Sequence, residues 1–542
     1  MFSQYFTRGT VDYVGRCSRR GRMKAQECAN SSFERFCEVK GLTIPTEYRK
    51  VKPNMDASFK SVSKYDKLQP TVNEASWLLA GEWTKCHFQP FMGGSGILAT
   101  CDVVSELDKT TSAGYPWNTK FLSKAEFLED STAHGVFEEY WSRLAMPDNT
   151  IVPIWTCSQK IELRSVEKIA QNKIRTFTAA PIEHTVCANR LFLDMNNKFY
   201  ASHGDTWSSV GMTKFFRGWD TLYRRLDVHP DAFALDESEY DSSIFARAMR
   251  EQGDIRFSFL AEEFRTPDIK ERVSQVYSAI VHSVIVLENG DLVVKHTGNP
   301  SGSSNTIVDN TMILFRLKAY SWIELCVENG FEPTYATFME FVEAALCGDD
   351  NTFTVSAEVS SWYNATSISR VWSSLGITTT TPVYEPRKLH ETQFLSQGFR
   401  FDERLNIWMP EPETARVLSS IMWGSPVDDV RWHYLRACAL RMDSYGNLEC
   451  KSTLEAYIDF LNQQYRDFLH GVIQVGRSPP ISMRMIRTAW KSDFFLDALY
   501  SGKESGGMQK NFRTTLEIFS TLCNAEREEE EDEAIQTEES TC

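Results

Sequence analysis

The 542-residue chain has 13 cysteines but no CxxC pair and no Cys/His cluster at zinc spacing, which argues against a structural zinc module. The thiols are expected to be reduced and buried, as in a cytosolic protein. No apolar run is long enough to span a bilayer. No signal peptide is read at the N-terminus either, where "MFSQYFTRGTVDYVGRCSRRGRMK" is basic and broken by polar residues. Work at a membrane would therefore need a partner or a surface patch. Internal repeats and long linkers are also missing, so one interlocked body is expected over roughly residues 50–520. Positive charge is scarce: the formal net charge is -15, which at face value speaks against a nucleic-acid binder. Much of that deficit sits at one end. "EREEEEDE", Glu526 to Glu533, carries a net -6, and Glu538 and Glu539 bring the tail to -8, leaving -7 for the rest. The tail from Ala525 reads as a disordered block of like charge, so local patches decide what the chain binds.

What is present is a soluble composition, 42% hydrophobic and 24% charged, able to bury a large core. "DAFALD" reads as a short buried strand ending on Asp236, with a helical pattern following in "SSIFARAMREQ". "SVIVLENGDLVVKH" reads as a hairpin turning at Asn289-Gly290, and "SSNTIVDNTMILFRLKAYSWIEL" as a long helix starting near Ser303 or Ser304. "AALCGDDNTFTV" is a second hairpin, and beyond Glu411 the pattern is mostly helical. The chain is therefore read as α+β, a central sheet with a helical C-terminal lobe.

The hairpin turn places Asp349 beside Asp350. Gly and Asp are ordinary turn formers, so this pair alone would be read as a simple turn. Adjacent carboxylates repel, however, and a divalent ion on oxygen ligands relieves that repulsion. Asp236, at a strand end, is a third carboxylate placed to reach the same point and complete a site suited to Mg²⁺ or Mn²⁺. Between them, "TGNPSGSSNTIVDN" is a glycine-rich loop entering the long helix. There Thr306 and Asn310, four apart, share a face, and Asp241 is placed to join them in reading hydroxyls. Upstream, "KIELRSVEKIAQNKIRTF" holds Lys160, Arg164, Lys168, Lys173 and Arg175 against only Glu162 and Glu167, a density that suits a triphosphate or a nucleic-acid backbone.

Taken in order, "TSAGYPW" (111 to 117), the cluster from Lys160 to Arg175, Asp236 with Asp241, "GNPSGSSNTIVDN" and "GDD" resemble the ordered motifs of viral RNA-dependent RNA polymerases. The likeness is to the positive-strand group that includes picornaviruses, caliciviruses and astroviruses. "GNPSG…DN" and "GMTKFFRGWDTLYRRL" look most astrovirus-like. The resemblance spans roughly residues 80 to 400.

It implies that Asp236 and Asp349 hold two Mg²⁺ or Mn²⁺ ions with Asp350 as an auxiliary ligand. Asp241, Ser301, Thr306 and Asn310 would read the incoming ribose. Lys160, Arg164, Lys168 and Arg175, with Lys173 alongside, would receive the triphosphate, Glu162 orienting a neighbouring cation. Thr111, Ser112, Gly114 and Tyr115 would guide the template. Two features depart from the family pattern. Relatives place a pyrophosphate-protonating lysine shortly after a glycine resembling Gly376, whereas here Lys388 is the first lysine, with Arg387 and His390 as rivals. "TQFLSQGFR" resembles the primer-grip hairpin without its usual basic pair.

The implied architecture is a right-hand polymerase with an antiparallel palm sheet and a mostly helical thumb. Residues 1–228 form an N-terminal extension and fingers, 229–265 palm, 266–295 a fingers insertion, 296–400 palm, 401–524 thumb and 525–542 the acidic tail. The implied partners are an RNA template, a primer or product strand, nucleoside triphosphates and other viral replication proteins. The implied setting is the host cytoplasm, at membrane-associated complexes reached through partners. A reverse transcriptase and an inactive RNA-binding protein of polymerase fold are the rivals. Asp241 with Asn310 speaks against the first, and the intact carboxylates against the second.

Overall fold

The computed structural model describes residues 4–502, apart from 19–27, 132, 148–151, 382, 426, 474–479 and 490–492. The acidic tail lies outside the described residues.

The apolar runs of "DAFAL", "VEAALC" and "DNTFTV" build a three-stranded antiparallel sheet in the order Val342–Cys347, Asp350–Val355, Asp231–Leu235. Cys347 stands opposite Asp350, and Asn351 opposite Leu235, so Asp236 emerges one step past its strand beside the 348–349 turn. Phe233 and Phe353 face each other in the ladder and stack at 5.4 Å, an aromatic pairing that contributes about 0.5–1 kcal/mol beyond its buried area. Against the sheet runs the helix Thr306–Glu328. It is apolar on nearly every side and buried along most of its length, as such a helix must be. It packs on Glu74–Met92, where the Arg316 guanidinium lies 3.8 Å from the Trp77 ring. The helix starts at Thr306 rather than Ser303, because Ser303 is held in a turn by its backbone bond to Pro300.

A five-stranded sheet runs in the order Val11–Arg16, Asp291–Lys295, Val284–Val286, Ile154–Gln159, Thr176–Ala179. The Asn289-Gly290 turn joins its second and third strands, with Gly290 in the left-handed region. The chain thus leaves the small sheet after Asp236 and contributes strands beside those that flank the basic cluster. It returns through the loop 297–305.

The C-terminal lobe contains the helices Thr414–Trp423, Val430–Asp443, Leu448–Gln464, Met483–Ala489 and Asp493–Ser501. Its core is completed from the far end of the chain by the helix Ser31–Lys40. Phe33 meets Tyr457 edge-on at 4.9 Å, Phe36 meets Phe460 at 5.6 Å, and Asn30 N–H donates to the Met422 carbonyl. The N-terminal segment therefore contributes side chains to the core of the C-terminal lobe. The apolar face of Phe33, Phe36 and Cys37, at three- and four-residue spacing, finds its cover on the C-terminal helices. Among the described residues no helix is long and apolar enough to cross a membrane.

Candidate active site

The acidic turn is a two-residue hairpin loop, Gly348-Asp349, with Gly348 at φ +69°. A positive φ at the first loop position suits glycine and matches the twist of the flanking strands. The long helix fixes this turn: Thr311 Oγ1 accepts from Gly348 N–H at 2.9 Å. Asp236 and Asp349 are exposed at the cleft and Asp350 is half-buried. Desolvation raises the Asp349 carboxyl above the ordinary range, with the charges of Asp241 and Asp236 adding to it. Burial, then Asp349 and Asp236, push Asp350 up to about 7. Four carboxylates from three parts of the chain therefore feel one another here. Among the described residues, no three His, Cys, Asp or Glu side chains are grouped closely enough to hold an ion as they stand.

Asn310 Nδ2 donates to Asp241 Oδ1 at 2.6 Å, while Asn299 Nδ2 donates to Asn310 Oδ1 at 2.9 Å. Asn299 N–H also donates to the Asp241 carbonyl at 2.7 Å. The structure thus joins Asp241 to Asn310 directly. Thr306 behaves differently from expectation: its hydroxyl proton is directed at the Pro300 and Ser303 carbonyls, both at 2.9 Å, at the start of the helix. Its place on the Asn310 face therefore does not make it a free donor. Ser301 sits half-buried in the loop between.

Backbone pairing sets Lys160 beside Arg175, with Lys160 N–H donating to the Arg175 carbonyl at 2.9 Å. Glu162 takes Arg175 through two 2.7 Å hydrogen bonds and Arg164 through one of 3.4 Å. The Arg175 guanidinium is held above its ordinary value by Glu162 first, with Asp349 and Asp241 also contributing. The cation therefore lies within electrostatic reach of the acidic cleft. Lys168 lies on the short helix Val166–Ala170 and Lys173 on the turn after it. Both are exposed.

A family model described as "Viral RNA-dependent RNA polymerase" matches residues 44–451. The chain belongs to that family. It is 28% identical over 485 residues to the genome polyprotein of Plum pox potyvirus (strain Rankovic), covering 84% of this chain and 14% of that polyprotein. It is 32% identical over 351 residues to the genome polyprotein of Bean yellow mosaic virus, covering 64% of this chain and 11% of the relative. The chain thus spans a small fraction of these relatives. The solved structure of a Sicinivirus 3Dpol RNA dependent RNA polymerase superposes with a TM-score of 0.67 at 18% identity, covering 84% of this chain and 98% of that one. The fold is the right-hand polymerase fold. None of these three is described as an astrovirus protein, so the narrower astrovirus likeness is not carried forward.

In this polymerase the loop Thr111 to Tyr115 packs against the start of the helix Ile182–Ala201. Ile182 N–H donates to the Ala113 carbonyl, Lys124 Nζ to Thr111 Oγ1 and Gly114 N–H to Ser112 Oγ. Lys388 is not brought to the acidic cleft. Its neighbour Arg387 pairs by backbone with Ala232, four residues back along the strand from Asp236, a separation of about 13 Å. Thr380 occupies the place beside Asp236 instead, donating its N–H to the Asp236 carbonyl at 2.6 Å.

Four residues of the site escaped the sequence reading: Thr311, Asn299, Glu237 and Asn351. Strand alternation turns Glu237 inward from Asp236, and Asn351 Nδ2 donates to its buried carboxyl at 3.0 Å. A period-two reading of "LDES" against "DDNT" would have paired them.

Proposed function

We propose that this polymerase extends an RNA strand on an RNA template, Asp236 and Asp349 holding divalent ions with Asp350 as support. The observation that carries this reading is the convergence of Asp236, Asp349, Asp350 and Asp241 on one cleft, with the cationic Arg175 within electrostatic reach of it. The donors fit the group: all are carboxylate oxygens, the choice of Mg²⁺ or Mn²⁺, and the raised Asp349 and Asp350 carboxyls mark a repulsion that cations would quench. The family generally uses divalent metal ions. When bound, such ions activate the primer 3′-hydroxyl and stabilise the departing pyrophosphate.

The chain's own residues bind and orient. Asp241 and Asn310, already hydrogen-bonded to each other, present a polar pair that a ribose 2′-hydroxyl joins and a deoxyribose cannot. Arg175 offers a planar fork to the triphosphate, with Arg164 and Lys160 adding charge. Neither rival reading has support from the family match. Replication in the host cytoplasm follows from the family, and recruitment to membranes by other viral proteins belongs to this proposal. The test is RNA extension with purified protein, an RNA template, labelled NTPs and Mg²⁺ or Mn²⁺. Wild type is expected to extend and Asp349→Ala to be inactive, while Asn310→Ala weakens the preference for ribonucleotides. Equal incorporation by wild type and Asp349→Ala would overturn the metal assignment.

A further inference from the structure

Lys295 is wholly buried at the end of the strand Asp291–Lys295. Its Nζ donates to four backbone carbonyls, those of Ile280 at 2.6 Å, Val281 at 3.2 Å, Thr297 at 3.0 Å and Gly298 at 2.8 Å. All four partners are acceptors, so all three ammonium protons are used, one of them shared. Burial pulls this ammonium well below the ordinary lysine value, and no carboxylate pairs with it among the described residues. The carbonyls supply the compensation. Two of them close the helix Pro267–Val281, whose last carbonyls lack intrahelical partners and carry the negative end of its dipole. The other two belong to the loop that leads into the ribose-facing helix.

That loop is tightly keyed to Asp241. Gly298 has φ +75°, and a Cβ there would stand 2.6 Å from the Tyr65 ring and 2.8 Å from the Asp241 carbonyl. Its N–H donates to the Ile244 carbonyl at 2.8 Å, and the next residue, Asn299, bonds both the Asp241 backbone and the Asn310 side chain. One connected set of hydrogen bonds therefore runs from the buried ammonium through Gly298 and Asn299 to Asp241 and Asn310.

We propose that Lys295 is a positioning residue for sugar selection: its ammonium clamps the 297–298 backbone so that Asn299 holds the Asn310–Asp241 pair at the ribose 2′-hydroxyl. This rests on the reading of Asp241 and Asn310 as the ribose-facing pair. Methionine at 295 keeps the length of the side chain and removes every donor, and a shift of the loop by about 1 Å is enough to degrade an oriented polar contact.

The experiment measures kcat and KM for ATP and dATP on one RNA primer–template, with thermal unfolding alongside. It compares wild type, Lys295→Met, Asn299→Ala, their double variant and Asn310→Ala. Lys318→Met is the control, removing another wholly buried lysine, whose Nζ lies 3.6 Å from the Phe353 ring. Lys295→Met and Asn299→Ala are each expected to lower the ATP over dATP preference about tenfold, mainly through loss of kcat/KM for ATP. The double variant should be no worse than either, and Lys318→Met should lose stability while keeping the preference. A Lys295→Met protein that melts earlier yet discriminates like wild type would overturn the proposal. If Lys295→Met does not yield folded protein, Asn299→Ala decides, because it keeps the ammonium and cuts only the link to Asn310. An unchanged preference in Asn310→Ala would remove the ribose reading itself, and the role of Lys295 with it.

Discussion

Arg175 lies against Glu162 through two parallel 2.7 Å hydrogen bonds, a fork already shaped for the triphosphate it is proposed to receive. Charge-assisted bonds of this kind are worth about 1.5–3 kcal/mol, so Arg175→Ala should raise the KM for NTPs by roughly ten- to a hundredfold with a smaller change in kcat. Glu162→Gln removes a negative charge from the same entry while keeping an acceptor. It should lower the KM at low salt, with the gain fading as ionic strength rises. Steady-state kinetics across a salt series checks both, and an unchanged KM in Arg175→Ala would remove that residue from the triphosphate path.

Asp349 and Asp350 both titrate above the ordinary carboxylate range, Asp350 at about 7. A carboxyl raised by folding takes stability from the fold as pH climbs past its unfolded value near 4, and the loss is complete above the folded value. Metal-free protein should therefore lose part of its thermal stability between about pH 4 and 7. Asp350→Asn should blunt that slope. Added Mn²⁺ or Mg²⁺ competes with the protons, so its stabilising shift should be larger at pH 8 than at pH 5.5 in melting experiments. A metal-induced shift independent of pH would contradict this picture.

The wholly buried pair of Arg256 and Asp309, at 2.7 Å, anchors the first turn of the long helix, with Tyr277 donating its hydroxyl to Asp309 at 3.0 Å. Arg256→Met would leave a buried carboxylate without its cation, at a cost of about 3–5 kcal/mol. Denaturant unfolding should show that loss, with a smaller one in the double variant Arg256→Met, Asp309→Leu. A loss below about 1 kcal/mol in the single variant would mean that the pair does not anchor the helix.

Lys388→Ala should leave kcat within about threefold of wild type, since its neighbour Arg387 pairs with Ala232, about 13 Å along the strand from Asp236. Single-turnover measurements over pH 6–9 test this. A large drop with loss of the alkaline limb would restore Lys388 as the proton donor.

The parts of the site that were readable from sequence are those fixed by local chemistry. Gly348-Asp349 between two apolar runs specifies a hairpin, the loop around Gly298 and Pro300 specifies a break before a helix, and a buried strand ending on Asp236 specifies where that carboxylate emerges. What escaped depends on distant partners. Thr306 and Asn310 share a helix face, yet only the folded loop shows that the Thr306 proton is taken by Pro300 and Ser303. Lys388 was reached by counting from Gly376, and counting does not show that Thr380 pairs with Asp236 while Arg387 pairs with Ala232, further back along the strand. Lys295 looks like any strand-end lysine until four carbonyls close around it.

The packing of Phe33 and Phe36 into the C-terminal helices sets the order of events when the chain folds. The C-terminal lobe is finished by the helix Ser31–Lys40, whose Ser32 hydroxyl bonds that of Tyr457 across 425 positions, so its core closes late and through a very non-local contact. A fragment beginning at residue 401 would expose the faces of Tyr457 and Phe460 that this helix covers. Truncation at the N-terminus should therefore first be felt as unfolding or aggregation of the opposite end of the molecule.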